Sequence, residues 1–365
     1  MNKIKEIDQN LFKLSEEIEK NYLAYINPVN STLQREIFFD SIKKHTYTNP
    51  IFEYQKQDEQ LFTQIEEKIQ LIKKQLKTSI AEKILKQKAE DLLLDLHLMQ
   101  RVNAPKFCNA SKKAYGEPNS KLIKKSLEIL KMEIKKTQEN PLNPIEAKLL
   151  LEEKMQKVPT GFTVSTEENM SAQASEHIAE KKVKLNKNAI FSKENVEQLF
   201  VHEVETHVYR HLNGILQPLQ CLAMGAGGEF LRTEEGLAIF NEHKANTSSQ
   251  NRQRTYAGRT IAVNYALKHD FFETFDYLKN FFSDSEAYTI TQRVKRGVPY
   301  GQKGAFTKDY SYFAGLIEIN EFMNNTENIK DLYYGKISIK EIKLIKKLPG
   351  LIEPKYLPTW IQFEK

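Results

Sequence analysis

The first hundred residues carry apolar side chains at the spacing of a helix. The apolar positions recur every three or four residues, and they are Leu11, Leu14, Ile18 and Tyr22 in one stretch and Phe62, Ile65, Ile69, Ile72 and Leu76 in another. This period places each set on one face of an α-helix. The leucine-rich stretch 81–100 predicts a further helix with a wide apolar face. We therefore predict a helical N-terminal region over residues 1–100 and a second domain over residues 101–365.

The pattern changes beyond residue 160. Apolar and polar side chains alternate over 161–165 and 182–185, which predicts two short β-strands. Ser192 offers a helix N-cap, and a helix is predicted from there toward Leu212. The other elements predicted in this half are helices over 261–282 and 312–324 and loops over 103–120 and 225–228. We therefore predict an α+β fold that is mostly helical, with a small sheet flanking the helix after Ser192.

The helix after Ser192 contains the residues that carry candidate chemistry. Its sequence His202-Glu203-Val204-Glu205-Thr206-His207 is followed, 28 positions after the second histidine, by Glu235. Neutral imidazoles and a carboxylate hold Zn²⁺ tetrahedrally and leave one position open for water. A glutamate beside the first histidine is then placed to take a proton from that water. These residues predict a zinc-dependent peptidase of zincin type, in which the edge of the sheet pairs with an extended peptide.

The spacing of the two histidines is unusual. They stand five positions apart, which leaves them roughly 140° apart around an ideal α-helix. Both reach one metal ion only if the helix contains an extra residue, as in a π-type turn. The alternative ligand set is Glu203, His207 and His211, which lie four residues apart on one stripe of an α-helix. Whether His211 or Glu242 joins the site stays open at this point.

The segment around Glu235 also has a purely structural interpretation. Thr233 fits a helix N-cap, and Glu234 and Glu235 would then be acids in a first helical turn, where the helix dipole favours them. Gly236 has no side chain, so it would let another backbone approach this segment closely. The conjunction of this segment with the histidine motif favours the metal site.

Composition narrows the class of protein. Of the 365 residues 28% are charged and 40% are apolar, which is typical of a soluble globular protein. No run of eighteen apolar residues and no apolar leader are present, so we expect no membrane partner. Only two cysteines, Cys108 and Cys221, occur, which indicates a reducing compartment and a cytoplasmic location. The net charge of +6 is dispersed and accompanies no nucleic-acid-binding motif, so we expect no nucleic-acid partner.

Seven segments, taken in order, resemble the microtubule-associated tyrosine carboxypeptidase family and its bacterial relatives, the QEGLA-motif proteins that modulate flavohaemoglobin expression. They are Tyr115-Gly116-Glu117-Pro118, the motif from His202 to His207, Glu234-Glu235-Gly236-Leu237-Ala238, Arg293-Val294-Lys295-Arg296-Gly297, Gly304-Ala305-Phe306-Thr307-Lys308-Asp309, Gly350-Leu351 and Tyr356-Leu357-Pro358. The resemblance implies a zincin-like metallocarboxypeptidase, with His202, His207 and Glu235 on zinc and Glu203 as the catalytic base. It also implies an aromatic residue at the cleaved C-terminus. Glu234 stands where the name of the motif has glutamine.

A carboxypeptidase also needs a cation that binds the terminal carboxylate of its substrate, and the planar guanidinium of arginine does this best. The candidates are Arg293, Arg296 and Lys308 with the neighbouring tyrosines Tyr300, Tyr310 and Tyr312, and Arg254 and Arg259 are weaker ones. A tyrosine or cation of this group is also expected to stabilise the developing oxyanion. The alternative is that these cations pair with acids such as Asp309 or Glu318 and stabilise the fold.

The expected partner is the C-terminal tail of a peptide or protein. Two other classes of function remain open from the sequence. One is a metal-dependent hydrolase that acts on an amide in a small molecule. The other is a non-catalytic regulator of the same fold, although such a protein has no need of Glu203 beside an open metal position.

Overall fold

The computed structural model describes residues 2–132, 140–168, 170, 172–325 and 328–363. The described α-helices are α1 (Asn2–Ile26), α2 (Ser31–Lys43), α3 (Glu59–Gln75), α4 (Ile80–Met99), α5 (Phe107–Tyr115), α6 (Ser120–Leu130), α7 (Pro144–Gln156), α8 (Lys193–Leu199), α9 (Tyr209–Ile215), α10 (Gly227–Lys244), α11 (Gln250–Ala266), α12 (Phe271–Leu278), α13 (Asp284–Lys295), α14 (Ser311–Asn324), α15 (Ile342–Ile345) and α16 (Thr359–Phe363). A π-helical segment, Phe200–Val208, joins α8 to α9. The predicted mostly helical α+β class is confirmed. None of the described helices has the length and apolar character needed to cross a bilayer.

The N-terminal region is helical, as its apolar period predicts. Leu11 and Ile18 of α1 and Ile69 and Ile72 of α3 are buried. These side chains belong to the same hydrophobic core as Val204 of the π segment. One continuous hydrophobic core therefore extends across residue 100. The division of the chain at that residue stays a prediction.

The sheet has three strands, β1 (Thr163–Glu167), β2 (Ala174–His177) and β3 (Lys182–Asn186). Their order is β1-β3-β2, with β1 parallel and β2 antiparallel to β3. The alternating pattern predicts β1 and β3, whereas β2 has a single buried apolar residue and carries no such signal. The strand order places β2 at an edge of the sheet, where it contacts the π segment.

Three predictions of local structure are wrong. The predicted loop 103–120 contains α5, and the predicted loop 225–228 includes the start of α10 at Gly227. The helices predicted over 261–282 are confirmed, and Asp270 caps α12 where it separates from α11. Thr233 is not an N-cap but lies buried in the middle of α10. Glu234 and Glu235 are therefore interior residues of a long helix, and the dipole of a first turn does not explain them.

Two glycines bring α10 close to α14. A Cβ atom at Gly236 would lie 2.1 Å from the backbone carbon of Gly315, and one at Gly315 would overlap the backbone of Arg232. The two helices therefore cross with their backbones in contact, as the predicted role of Gly236 requires. This crossing sets the position of Glu235, the residue before Gly236.

Candidate metal centre

Three side chains from two elements bring one ligand atom each to a common point. His202 and His207 come from the π segment and Glu235 comes from α10, and their ligand atoms lie within 4.8 Å of one another. The distance from Glu235 Oε2 to His202 Nε2 is 3.4 Å, and to His207 Nε2 it is 3.9 Å. All three side chains are buried.

The π segment explains how histidines five residues apart face one point. Hydrogen bonds from residue i to i+5 widen each turn, so residues five apart stand one above the other. The hydroxyl of Thr206 follows the same period and donates to the carbonyl of Val201 at 3.0 Å. Ser192 caps the helix that leads into the segment and accepts the N–H of Asn195 at 3.1 Å. The predicted π-type turn and N-cap are both confirmed.

Each imidazole is oriented by a buried carboxylate of α10. Glu242 Oε1 lies 2.7 Å from His202 Nδ1, and Glu234 Oε1 lies 2.9 Å from His207 Nδ1. When Nδ1–H donates to a carboxylate, Nε2 is left as the acceptor that binds a metal ion. Glu235 and Glu242 stand seven residues apart, which is two helical turns, so both face the histidines. From the sequence alone, neither Glu234 nor Glu242 is assigned to these orienting roles. The seven-residue spacing of Glu235 and Glu242 is the signal that could have indicated that both face the histidines.

The donor set fits a zinc ion. Tetrahedral bonds of about 2.0–2.1 Å place ligand atoms roughly 3.3 Å apart, close to the separations of Glu235 Oε2 from the two imidazoles. This Oε2 atom is buried and has no hydrogen-bond partner among the described residues. Burial opposes ionisation of Glu235, but the nearby imidazoles of His202 and His207 lower its pKa to about 2. A buried anionic oxygen without a donor is what a metal ligand requires.

Glu203 lies beside this ligand triangle but supplies none of its three atoms. Its Oε2 accepts the backbone N–H of Glu176 in β2 at 3.1 Å. Burial raises its pKa, and the acids Glu176 and Glu235 act in the same direction against His202 and His207. A buried carboxylate of raised pKa is suited to accept a proton near neutral pH.

The alternative ligand set is not assembled. His211 Nδ1 lies 2.8 Å from the carbonyl oxygen of Ala223, and its ring packs edge-on against Phe162. Burial lowers the pKa of His211 to about 4, so this imidazole is neutral. The ligand groups found among the described residues do not include it.

Two cavities meet at the candidate metal centre. The first, of about 410 Å³, is also lined by Ser15, Ile18, Glu19 and Tyr22 of α1. The second, of about 490 Å³, extends toward α11. Both cavities are lined by Ala174 at the start of β2. They also share the side chains of His202, Glu203, Arg293 and Tyr312. The cleft therefore runs past the edge strand on both sides of Glu203.

The predicted cations differ in their surroundings. Arg293 donates to both oxygens of Asp309, at 2.5 and 3.1 Å, and Arg296 donates to Asn27 at 2.7 Å. Lys308 lines the first cavity, with Nζ 5.3 Å from the centroid of the Tyr22 ring. Of these three cations, Lys308 is therefore the best placed to contact a ligand in the first cavity.

Arg259 lines the second cavity. Its guanidinium stacks over the ring of Tyr312 at 4.9 Å, and its Nε has no hydrogen-bond partner among the described residues. Arg254 instead donates to the backbone carbonyls of Leu130 at the end of α6, of Met132 and of Phe281. The sequence does not separate these two arginines, because only their tertiary neighbours differ.

The predicted tyrosines lie in three different settings. Tyr310 donates to the carbonyl of Tyr115 at 2.6 Å and is not among the described residues that line either cavity. Tyr300 is exposed. Tyr312 lines both cavities, and burial raises its pKa well above the usual value, so its hydroxyl keeps its proton.

Comparison with known proteins gives a family match along most of the chain. The family described as microtubule-associated tyrosine carboxypeptidase matches residues 36–365. The human protein named "Putative tyrosine carboxypeptidase MATCAP2" is 26% identical over 176 residues, which are 46% of this chain and 32% of the human protein. The mouse protein of the same name is 27% identical over 163 residues, 42% of this chain and 30% of the mouse protein. The matched segments therefore cover about a third of each relative.

Proposed function

Because the chain belongs to the microtubule-associated tyrosine carboxypeptidase family, we propose that it is a zinc-dependent carboxypeptidase. Its substrate is the C-terminal tail of a peptide or protein, and the residue removed is aromatic, with tyrosine as the first candidate. The observation that carries this proposal is the position of Glu203, a buried carboxylate next to His202, His207 and Glu235 in a cleft beside an edge strand.

When bound to His202, His207 and Glu235, zinc supplies a Lewis acid that polarises a carbonyl and lowers the pKa of water. Glu203 accepts a proton from the attacking water and delivers it to the leaving amine. The N–H of Glu176 holds one oxygen of Glu203, which leaves the other oxygen to accept that proton. Tyr312 keeps its proton and is placed in the cleft to donate a hydrogen bond to the developing oxyanion.

The terminal carboxylate of the substrate requires a cation at one end of this cleft. Lys308 lies in the first cavity and Arg259 lies in the second. The cation that binds the carboxylate therefore also tells which cavity holds the C-terminal residue. Arg293 and Arg296 surround Asp309 and contribute positive potential near both.

Matched peptides that end in tyrosine, one with a free carboxylate and one amidated, test the activity. A carboxypeptidase hydrolyses only the free acid, because the amide cannot pair with a cation. Equal hydrolysis of the two peptides would assign a different amide hydrolase, and hydrolysis of neither would refute the proposal.

The same peptides locate the carboxylate receptor through Lys308→Met and Arg259→Gln. The variant that removes the receptor should raise KM for the free acid and weaken its preference over the amide, while the other variant should retain that preference. If both variants keep the wild-type preference, neither cation is the receptor.

A further inference from the structure

A second group of metal-ligating side chains adjoins the first. Glu176 of β2, His207 of the π segment and Glu234 of α10 each place one ligand atom within 4.8 Å of the others. His207 belongs to both groups, and Glu234 precedes the proposed ligand Glu235. One imidazole and two carboxylates are a donor set that zinc and related divalent ions accept.

The ammonium of Lys336 bridges the two carboxylates of this second triangle. Its Nζ is 2.8 Å from Glu234 Oε1 and 3.2 Å from Glu176 Oε1. The side chain is 5% exposed, against 3% for Glu234 and 23% for Glu176. Glu234 Oε1 is also the partner of His207 Nδ1, while Arg210 contacts Glu234 Oε2.

The backbone around Lys336 directs this ammonium into the triangle. Its N–H donates to the carbonyl of Leu222 at 2.7 Å, and its own carbonyl accepts Lys88 Nζ at 2.9 Å. Gly335 has φ +156°, and a Cβ atom there would lie 2.5 Å from the carbonyl oxygen of Leu222. The chain therefore passes too close to its neighbour for any residue but glycine before Lys336.

An ammonium has three N–H donors and one positive charge, so it can neutralise and bridge carboxylates as a bound metal ion does. A buried carboxylate such as Glu234, with a half-buried one beside it, is costly without such a partner. We propose that Lys336 is a built-in cation that fills the triangle of Glu176, His207 and Glu234 and so restricts the chain to one metal ion. The inference rests on the proposed zinc centre, because the two triangles share His207.

Keeping this position free of metal protects the proposed chemistry. A divalent ion bound to Glu234 would compete for the carboxylate that orients His207. The same ion on Glu176 would draw β2 away from Glu203, whose oxygen depends on the Glu176 N–H. Lys336 holds both acids in place without taking a ligand from the first triangle.

Bound zinc per chain tests this inference without any need for activity. Purified wild type, Lys336→Ala and Lys184→Ala are equilibrated with excess zinc, freed of unbound ion and measured by elemental analysis. Lys184 is the matched control, because it also lines the first cavity but pairs with Glu180. We expect one zinc in wild type and in Lys184→Ala, and two in Lys336→Ala.

Two further variants make this result specific. Lys336→Ala combined with Glu176→Gln lacks one ligand of the second triangle and should return to one zinc. Lys336→Gln removes the positive charge and has a shorter side chain, so it also opens the triangle and replaces the alanine variant if that variant does not fold.

A single zinc in both Lys336 variants, or two in wild type, would overturn the inference and leave the proposed function intact. No zinc in wild type would refute the proposed metal centre, and this inference with it.

Discussion

At the scale of single residues, the site depends on acids that do not themselves belong to the ligand triangle. Glu242 and Glu234 orient the two imidazoles, and Glu234 is itself held by Lys336 and Arg210. Each of these carboxylates is buried and partnered, so its charge acts over a short distance with little screening. The orientation of the two imidazoles therefore depends on these paired carboxylates as well as on the histidine motif.

Replacing Glu203 by glutamine separates catalysis from metal binding. The amide cannot accept a proton from water, but it retains the volume of the side chain and supplies no atom to the ligand triangle. We expect turnover to fall by at least about 10²-fold, with zinc content unchanged by elemental analysis. Retained turnover would remove Glu203 from its role as base, and loss of zinc would make it a ligand.

Replacing Glu242 by glutamine should weaken zinc binding. The substitution removes the negative charge behind His202 while it keeps an oxygen that accepts the Nδ1 proton. Loss of such an outer partner lowers metal affinity by about 10- to 100-fold, which competition with a chelator of known affinity measures. Glu194→Gln is the control, since Glu194 also lines the second cavity but is exposed. Equal affinity in the two variants would contradict the role given to Glu242.

At the scale of elements, a π segment and a close helix crossing assemble the centre. The π segment turns His202 and His207 toward one point, and the contact of α10 with α14 places Glu235 opposite them. Asp95 of α4 adds a third fixed point, because it accepts the N–H of Gly227 at the start of α10 at 3.1 Å. The contacts of α10 with α4 and α14, which come from distant parts of the chain, therefore define the position of the Glu235 carboxylate.

Gly236→Ala should destabilise the fold through the crossing of α10 and α14. Its Cβ atom would overlap backbone atoms of Gly315, which cannot rotate away. Overpacking of this kind costs typically about 1–3 kcal/mol of the free energy of unfolding, measured by chemical denaturation. Gly258→Ala is the comparison, because the atoms it would meet are the tip of the Phe282 ring. A smaller loss at Gly236 than at Gly258 would argue against the close crossing.

At the scale of the whole molecule, the N-terminal helices are part of the site rather than an appendage. α1 lines the first cavity, and Lys88 of α4 binds the carbonyl of Lys336. Two half-buried acids of α4 lie near the start of α10, and desolvation raises the pKa of Asp91 to about 7 and that of Asp95 to about 6. The packing between the N-terminal helices and the rest of the chain should therefore respond to pH.

Asp91→Asn tests this dependence on pH. The folded chain binds a proton at Asp91 more tightly than the unfolded chain, whose carboxyl has a pKa of 3.8. This group therefore lowers the free energy of unfolding as pH rises from about 4 to about 7, by at most about 1.4 kcal/mol per pH unit. Asparagine has no such titration. We expect the free energy of unfolding of the variant, relative to that of wild type, to increase as pH rises from 4 to 8, as chemical denaturation measures. A difference that stays constant over this range would show that Asp91 does not titrate there.

The sequence by itself determined the features that depend on local spacing. The apolar period predicts the N-terminal helices, alternation predicts β1 and β3, and the five-residue spacing of His202 and His207 requires the extra residue found in the π segment. These predictions hold because neighbours along a helix or strand are set by backbone geometry alone. β2 escaped this reasoning because its short polar sequence is defined by its pairing with β3.

Only the tertiary structure decided which distant residues meet at the centre. Lys336 lies 102 positions from Glu234 and 160 from Glu176, and no periodicity connects them. Likewise, Arg293 donates two hydrogen bonds to Asp309, whereas the Nε of Arg259 lies 3.8 Å from the same carboxylate, and no local pattern distinguishes the two arginines. The crossing of helices and the path of the backbone past Gly335 set these contacts, and neither leaves a local pattern in the sequence.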